Sequence, residues 1–534
     1  MSDTAKKRLR LRIVIPAYPA FNIYSDIAKR TTALGPVCVA SSVSEMEGWD
    51  AEVIDENNLR RYGPRSASGG ADHEFLQLHR PADVVGFYGG LTSTIPRLYR
   101  VARFYKEKGI TTIAGGQHFV GDNIAEALNS CIDYVVIGEG EETIKELLSA
   151  IQGKTDIGKV RSIAYLNPAR KESSNGVNQG QVTFTPQREL LTDFDKLPLP
   201  DFSLVRYAKI QLYPVERIRG CGMNCEFCTV KGKPRSASPE RLLERISFLL
   251  ETNDARHFFI VDDLFGQQRD ETIRFCQMLG DYQKRVGRRL DTTVQIRLDK
   301  AKDTELLSAM RQAGINMVAI GFESPIEEEL KAMDKRIGPK DMLSLVKIFH
   351  KFGFLIHGMF IFSYPLTKDV NLNMPAAERV KRFKDFIMKA KIDTIQVLLP
   401  VPLPGTKLRE RLQGQNRIYP TQDLGWEYYD GNFPVFEPDQ PMSAEEMQAS
   451  VRKIMGKFYQ FKSMFMIGLN IFSFSAIIFY LHNIKLGWRK WYRPWRNNLF
   501  RFGGWITMRK WYAEFKKDKF LQKLQQAKEQ LRKI

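Results

Sequence analysis

Twice along this chain, short apolar runs alternate with amphipathic helical patterns, and that repeat constrains the fold more than any other feature. In residues 10–150 the strand candidates are LRIVIP, AEVID, DVVGFYG, TTIAGG and DYVVIG, separated by helical segments such as TIPRLYRVARFYKEKG. In residues 200–410 they are HFFIVDDLF, TTVQIRL, MVAIGFES, LIHGMFIFSYP and IDTIQVLLP, with IQLYPVERI ahead of them. Strands spaced this way form parallel sheets flanked by helices. The expected fold class is α/β: a doubly wound, Rossmann-like parallel sheet, a second set of about six βα units, and a helical C-terminal extension. The expected divisions are 1–150, a polar and Pro-rich linker over 151–200 (SSNGVNQGQ, LPLPDF), the second βα block over 201–410, a cap over 411–460 and a basic, aromatic tail over 461–534.

The second block opens on RIRGCGMNCEFCTVKGK, Arg217 to Lys233, with Cys221, Cys225 and Cys228 spaced C-x3-C-x2-C and Gly220 and Gly222 beside the first. Three thiolates on one short loop suit three irons of a [4Fe–4S] cluster, which ordinarily takes four cysteines. The fourth iron is then free to bind a substrate. Structural zinc is the alternative, and it needs four ligands, so a distant fourth such as His257 or Cys276. The remaining cysteines, Cys38, Cys131 and Cys276, lie in apolar surroundings and read as buried thiols. Six cysteines in 534 residues are no disulfide framework, so a reducing compartment is expected. The basic start MSDTAKKRLRLR lacks a following apolar run, so no secretory signal is expected.

With Phe227 just before the last cysteine, this spacing resembles the signature of the radical S-adenosylmethionine (SAM) superfamily. The resemblance implies that the open iron chelates the amino and carboxylate groups of SAM and that an electron from the cluster yields a 5′-deoxyadenosyl radical. It also implies a (β/α)6 partial TIM barrel over 201–410. Barrel chemistry sits at the C-terminal ends of the strands, where Asp262, Asp263, Gln295, Arg297, Glu323, Ser324, Ser363 and Tyr364 fall. The implied SAM-binding residues are Phe227, Asp263, Arg297 as a fork for the carboxylate, Glu323 for the ribose diol or amino group, and Gly358 with Phe360 as a slot for adenine. Val261-Asp262-Asp263 stands where many radical SAM proteins carry Gly-Gly-Glu.

In the first block, GFYGGLTST, AGGQHF and VVIGEGEET follow successive strands, and their order resembles the cobalamin-binding domain of one branch of that superfamily. The resemblance implies contacts to cobalamin from Gly89, Gly90, Thr92, Ser93, Gly115, Gly116, Gly138 and Glu139. The motif D-x-H-x-x-G is absent, so no histidine from it ligates cobalt; a domain that keeps the fold without the cofactor is the alternative. The branch includes hopanoid methylases and the anaerobic magnesium-protoporphyrin ester cyclase. The implied activity is methyl transfer to an unactivated carbon of a hydrophobic, lipid-like substrate, or else radical cyclisation or oxidation of a tetrapyrrole or lipid. A flavodoxin or ferredoxin is the implied electron donor. A membrane-anchored cofactor-binding protein is the non-enzymatic reading.

Net charge is +19, and its placement matters. Val451–Ile534 holds 19 Lys and Arg against 3 Asp and Glu, so the body carries little excess charge and no nucleic acid partner is expected. Ser463–Ile484 is free of Asp, Glu, Lys and Arg, and as a helix would be about 33 Å long, near one hydrocarbon thickness. Trp488, Trp491, Tyr492, Trp495 and Trp505 then interleave with Lys and Arg, a composition suited to the headgroup region. The expected location is cytoplasmic, peripheral or monotopic on the inner face of the cell membrane, with an anionic membrane surface as partner. A buried C-terminal helix with a solvated face is the alternative.

Overall fold

The computed structural model describes residues 8–60, 62–67, 69–167, 181–335, 337–472 and 484–533, and their side chains except those of 470–493. The first sheet has seven strands: β1 (Leu9–Ile15), β2 (Trp49–Asp55), β3 (Val84–Tyr88), β4 (Thr111–Gly115), β5 (Tyr134–Val136), β6 (Ile163–Asn167) and β7 (Gln181–Phe184). Their order is β2-β1-β3-β4-β5-β6-β7. The first five are parallel; β6 and β7 are antiparallel additions. The linker expected from residue 151 therefore donates two strands to this sheet, and most of SSNGVNQGQ lies outside the described residues. The chain reverses direction across the sheet between β1 and β3, the switch point where open α/β sheets bind ligands.

The second sheet contains β8 (Tyr213–Val215), β11 (His257–Ile260), β12 (Asp291–Gln295), β13 (Ile315–Glu323), β14 (Leu355–Ile361) and β15 (Thr394–Leu398). A small antiparallel hairpin, β9 (Ile218–Arg219) with β10 (Arg235–Ser236), separates β8 from β11. All six strands are parallel and stand in chain order, as six βα units predict. The sheet stays open, since β8 and β15 are its edges, and so it leaves a concave face that a closed eight-stranded barrel would fill. The Tyr459 hydroxyl covers part of the β15 edge, donating to Ile395 O (2.7 Å) and accepting from Ile395 N (2.9 Å). The helices form where their signals stand: Ser238 caps Pro239–Asn253 by accepting from Arg241 N, and Ser443 with Glu446 makes a capping box for Ala444–Phe458.

The end of the chain packs against the body. Helices Ile484–Lys517 and Phe520–Leu531 return to the body, where Trp511, Phe515, Phe520, Leu524 and Ala527 join the main core. Phe520 stands 4.7 Å from Phe433 and 5.0 Å from Tyr428, whose hydroxyl donates to Asp518 (2.6 Å). Residues 473–483 and the side chains of Trp488, Trp491 and Tyr492 lie outside the described residues. Among the described residues no helix is long and apolar enough to cross a membrane. The docked end should behave as core: Phe520→Ala is expected to cost about 3–5 kcal/mol, read as a lowered urea midpoint with unchanged slope. A chain cut before residue 504 should lose more than that.

Candidate active site: the cysteine loop and the face it shares with the first sheet

The cysteine loop is the connection within the hairpin β9–β10, and its root is fixed by backbone-to-carboxylate hydrogen bonds. Asp262 Oδ1 accepts from Arg217 N (2.6 Å) and Ile218 N (3.0 Å), and Asp263 Oδ2 accepts from Gly220 N (2.6 Å). Burial pushes the Asp262 carboxyl up to about 6, against the pull of those two N–H groups. Gly220 has φ +86°, and a Cβ there would stand 2.8 Å from Lys233 O, so only glycine turns the chain here. Gln267 Nε2 donates to Cys221 O (2.8 Å).

The far side of the loop is clamped through Glu226. Arg411 forks onto its two oxygens (2.5 and 3.0 Å), Tyr364 OH donates to it (2.6 Å), and Leu408 N donates to its carbonyl (3.1 Å). Burial alone would raise this carboxyl, but the Arg411 and Tyr364 hydrogen bonds hold it below the usual range. Its support is therefore present through neutral pH and lost only as pH falls through that lowered value. Phe227 packs edge-on against the Tyr364 ring at 5.9 Å.

Cys221, Cys225 and Cys228 are all partly exposed, whereas Cys38, Cys131 and Cys276 are buried. Burial, and the negative charge of Cys221, Cys225 and Asp263, push the Cys228 thiol up. Three thiolates gathered this way repel one another, and a bound iron cluster relieves the repulsion, so the donor set fits. Among the described residues no group of three or more His, Cys, Asp or Glu could hold a single metal ion. His257 is exposed and Cys276 lies deep in the core, so neither completes a zinc site.

On the concave face, Arg297 forks onto Asp299 (3.0 and 2.9 Å) with Nη1 3.4 Å from Met223 Sδ in the cysteine loop. Glu323, left-handed at φ +60°, pairs with Lys335 (3.0 Å), which also feels the Cys225 charge. The structure thus brings Arg297, Glu323, Phe227 and the cysteines together, and turns Asp263 to holding the loop. Gly358 and Phe360 do not form an adenine slot. Phe360 faces the outer helices, stacked 5.4 Å from Phe322, and a Cβ on Gly358 would meet Phe360 and Ile392. Alternation on β14 instead aims His357, Met359 and Ile361 into the concavity. His357 Nδ1 lies 2.9 Å from Thr394 Oγ1, and burial keeps the ring neutral by lowering its pKa.

The first sheet meets this loop through its own ligand-facing turns. Gln117 Oε1 accepts from Thr229 Oγ1 (2.9 Å), one residue past Cys228. Gly116 (φ +123°) runs against the backbone of Gly89, where a Cβ would approach within 2.6 Å. Gly89 and Gly90 are crowded by Phe119 and Tyr88, while Gly138 opens onto free space. Thr92 and Ser93 are buried, and Gly115 O accepts from Gly89 N (2.7 Å). Glu139 is not available to a ligand: it pairs with Arg235 (2.9 Å) and Arg219 (3.3 Å) at the root of the cysteine hairpin. A cavity of about 250 Å3 opens at the switch point, lined by Tyr18, Asp55, Asn57, Tyr88 and Thr94 among others.

His118 was not expected in this site. It is 1% exposed, its Nδ1 is 3.4 Å from Thr92 Oγ1, and its Nε2 has no partner among the described residues. Burial and the Arg409 charge hold its pKa down at about 3. An unpartnered buried nitrogen costs about 1–3 kcal/mol unless a ligand meets it, so these loops fit a cofactor rich in hydrogen-bonding groups. Glu226, Arg411 and His118 were missed because their partners are remote in sequence; the histidine of AGGQHF, two residues past the Gly-Gly turn, was the one local signal.

A model of the radical SAM superfamily matches residues 215–371, and one of the B12 binding domain matches residues 24–148. An uncharacterized methyltransferase of Pyrococcus horikoshii is 28% identical over 389 residues, 71% of this chain and 78% of that protein. A hopanoid C-2 methylase of Rhodopseudomonas palustris is 28% identical over 45% of this chain and 44% of its own. An anaerobic magnesium-protoporphyrin IX monomethyl ester cyclase of Rubrivivax gelatinosus is 24% identical over 70% of this chain and 66% of its own. The match spans less than two thirds of each of these last two relatives. The solved structure of the cobalamin-dependent SAM radical enzyme OxsB, with aqua-cobalamin and SAM bound, aligns at a TM-score of 0.64 and 14% identity, covering 98% of this chain and 84% of that one. The radical SAM methyltransferase TsrM of Kitasatospora setae aligns at 0.59 and 16% identity, covering 76% of each chain.

Fold and site together define a radical SAM domain joined to a cobalamin-binding sheet. The chain belongs to the cobalamin-binding branch of the radical SAM superfamily. It is an enzyme, and its cofactors are a [4Fe–4S] cluster, SAM and cobalamin.

Replacing Cys221, Cys225 and Cys228 together with Ala should abolish iron content after anaerobic reconstitution and stop SAM cleavage. Arg411→Met should cost about 1–3 kcal/mol and lower iron retention without unfolding the protein, measured by iron analysis beside a melting curve. His118→Ala should reduce corrinoid retained through gel filtration, while wild type shows a corrinoid spectrum without the signature of histidine ligation.

Proposed function

We propose that this enzyme transfers a methyl group to an unactivated carbon of a hydrophobic, lipid-like substrate met at an anionic membrane surface. The observation that carries the reading is an exposed apolar face on the helical hairpin near the C-terminus. On and just before helix Lys462–Phe472, Phe461, Phe465 and Leu469 are 41%, 60% and 62% exposed. On the helix packed against it, Leu499, Phe500 and Ile506 are exposed too. Exposed apolar surface rimmed by basic residues suits the water–lipid boundary. Similarity to a hopanoid C-2 methylase supports the lipid class. Similarity to a magnesium-protoporphyrin ester cyclase supports radical cyclisation or oxidation as the second reading.

When bound, the cluster and SAM supply hydrogen abstraction and cobalamin supplies the methyl group. The chain's own part is placement. The clamped cysteine loop would hold the cluster, and the Gln117–Thr229 contact holds the first sheet beside it. Neutral His357, with Thr394 and Gln396, gives the concavity hydrogen-bonding groups without a charge, which suits an apolar substrate. A flavodoxin or ferredoxin would deliver electrons, and the enzyme would lie at the cytoplasmic face of the membrane as a peripheral or monotopic protein.

With methyl-labelled SAM and a lipid extract, label should appear in a lipid product; an unlabelled, cyclised or oxidised product would favour the second reading. Full-length protein should float with phosphatidylglycerol vesicles, with a contribution of up to about 1 kcal/mol per basic residue near the headgroups. Salt should weaken this without abolishing it. Protein left in solution at low salt would remove the membrane claim.

A further inference from the structure

The N-terminal ends of the second sheet's strands, opposite the cysteine loop, carry a second polar cavity. It has a volume of about 400 Å3 and is lined by His350, Lys391, Asp393, Asn497, Asn498 and Arg501 among others. Lys391 ends the helix Ala376–Ala390 and Asp393 precedes β15. Asn497 and Arg501 stand one turn apart on the basic helix Ile484–Lys517.

The charges in this cavity are unevenly satisfied. Asp393 is fully buried and already engaged: it accepts from Ile356 N (2.9 Å) and Asn497 Nδ2 (2.7 Å), and His350 Nε2 lies at 3.2 Å. Arg501 is held with its guanidinium 4.7 Å over the Phe458 ring, and its Nε is buried without a partner among the described residues. Lys391 is exposed at the rim. The contact to Asp393 fixes the Asn497 amide, leaving its Oδ1 buried and unpartnered. The cavity therefore offers two cationic donors and one inward acceptor, with its single carboxylate hydrogen-bonded on the protein side. An anion with a hydroxyl or amine beside it would satisfy all three, and a planar guanidinium matches phosphate oxygens.

We propose that this cavity is a phosphate site whose occupant is the phosphodiester headgroup of a membrane lipid. Phe500, exposed beside Asn497 and Arg501 on the same turn of the helix, gives the acyl chains an apolar surface to follow. The lipid as source of the phosphate rests on the membrane reading above; the phosphate chemistry does not.

The test uses full-length enzyme, Arg501→Gln, Lys391→Asn and a control, Lys347→Gln, whose lysine is exposed outside the cavity. One probe is neutral galactolipid vesicles made anionic with phosphatidylglycerol or with an equal charge of oleate; the other is inorganic phosphate, by calorimetry. Wild type should prefer phosphatidylglycerol vesicles, and each cavity variant should lose that preference about tenfold while the control keeps it. Inorganic phosphate bound by wild type and lost in the variants, without vesicle preference, would support the site with a free phosphate as its source. Binding to both vesicle types unchanged in the variants, with no phosphate bound, would overturn the site and leave the membrane reading standing. Should Arg501→Gln fail to fold, Lys391→Asn at the exposed rim carries the comparison alone.

Discussion

The cysteine loop has almost no regular structure and no core of its own, so its shape depends on carboxylates that accept hydrogen bonds. Asp262 and Asp263 project from the end of β11 and take the N–H groups at the loop's entry. Glu226 ties its far side to Arg411 and Tyr364. Charge-assisted bonds are short and directional, which is what three thiolates need if they are to stand at fixed spacings before any iron arrives. The six parallel strands matter to function chiefly because they bring those carboxylates and the concave polar residues to one edge.

A second ionic network joins the two sheets. Arg219, beside the first glycine of the loop, reaches Glu141 (2.6 Å) and Glu216 (2.6 Å), and Arg235 reaches Glu139. The Phe194 ring lies 4.9 Å from the Arg219 guanidinium and 5.2 Å from that of Arg235. Burial would lower Arg219, yet Glu216 and Glu141 raise it, so the charge is kept. A buried network of this kind adds specificity more than net stability. Here it fixes the turn after β5, on the first sheet, against the base of the cysteine hairpin. That latch and the Thr229–Gln117 contact fix the first sheet against the cysteine hairpin.

The C-terminal segment serves packing and surface at once. Its final helices bury aromatic rings against residues 426–459, and Thr507 and Lys510 approach Asp26 near the chain's beginning. The hairpin ahead of them keeps Phe465 and Leu469 in solvent. Composition alone treats this stretch as one basic, aromatic region; packing separates the part that belongs to the body from the part whose apolar side chains stay exposed.

Much of the architecture was legible in sequence because parallel βα units carry local signals: apolar runs for strands, periodic helices, and caps such as Ser238 and Ser443. The cysteine spacing and the glycine turns were legible for the same reason, since three ligands on one loop are a local pattern. The antiparallel β6 and β7 were hidden in a polar linker, because pairing at a sheet edge needs little apolar sequence. Gly358 and Phe360 were placed on the wrong face because facing follows register, and a shift of one residue inverts it. The clamp between Glu226 and Arg411 joins residues 185 apart, and a hydrogen bond between distant side chains leaves no trace in the spacing of either. Sequence by itself determined the two sheets, the clustering of three cysteines on one loop and the cofactor class. Only the tertiary structure decided which charges hold the loop, which strand faces line the concavity and which part of the C-terminal segment docks on the body, because each depends on partners that folding alone brings together.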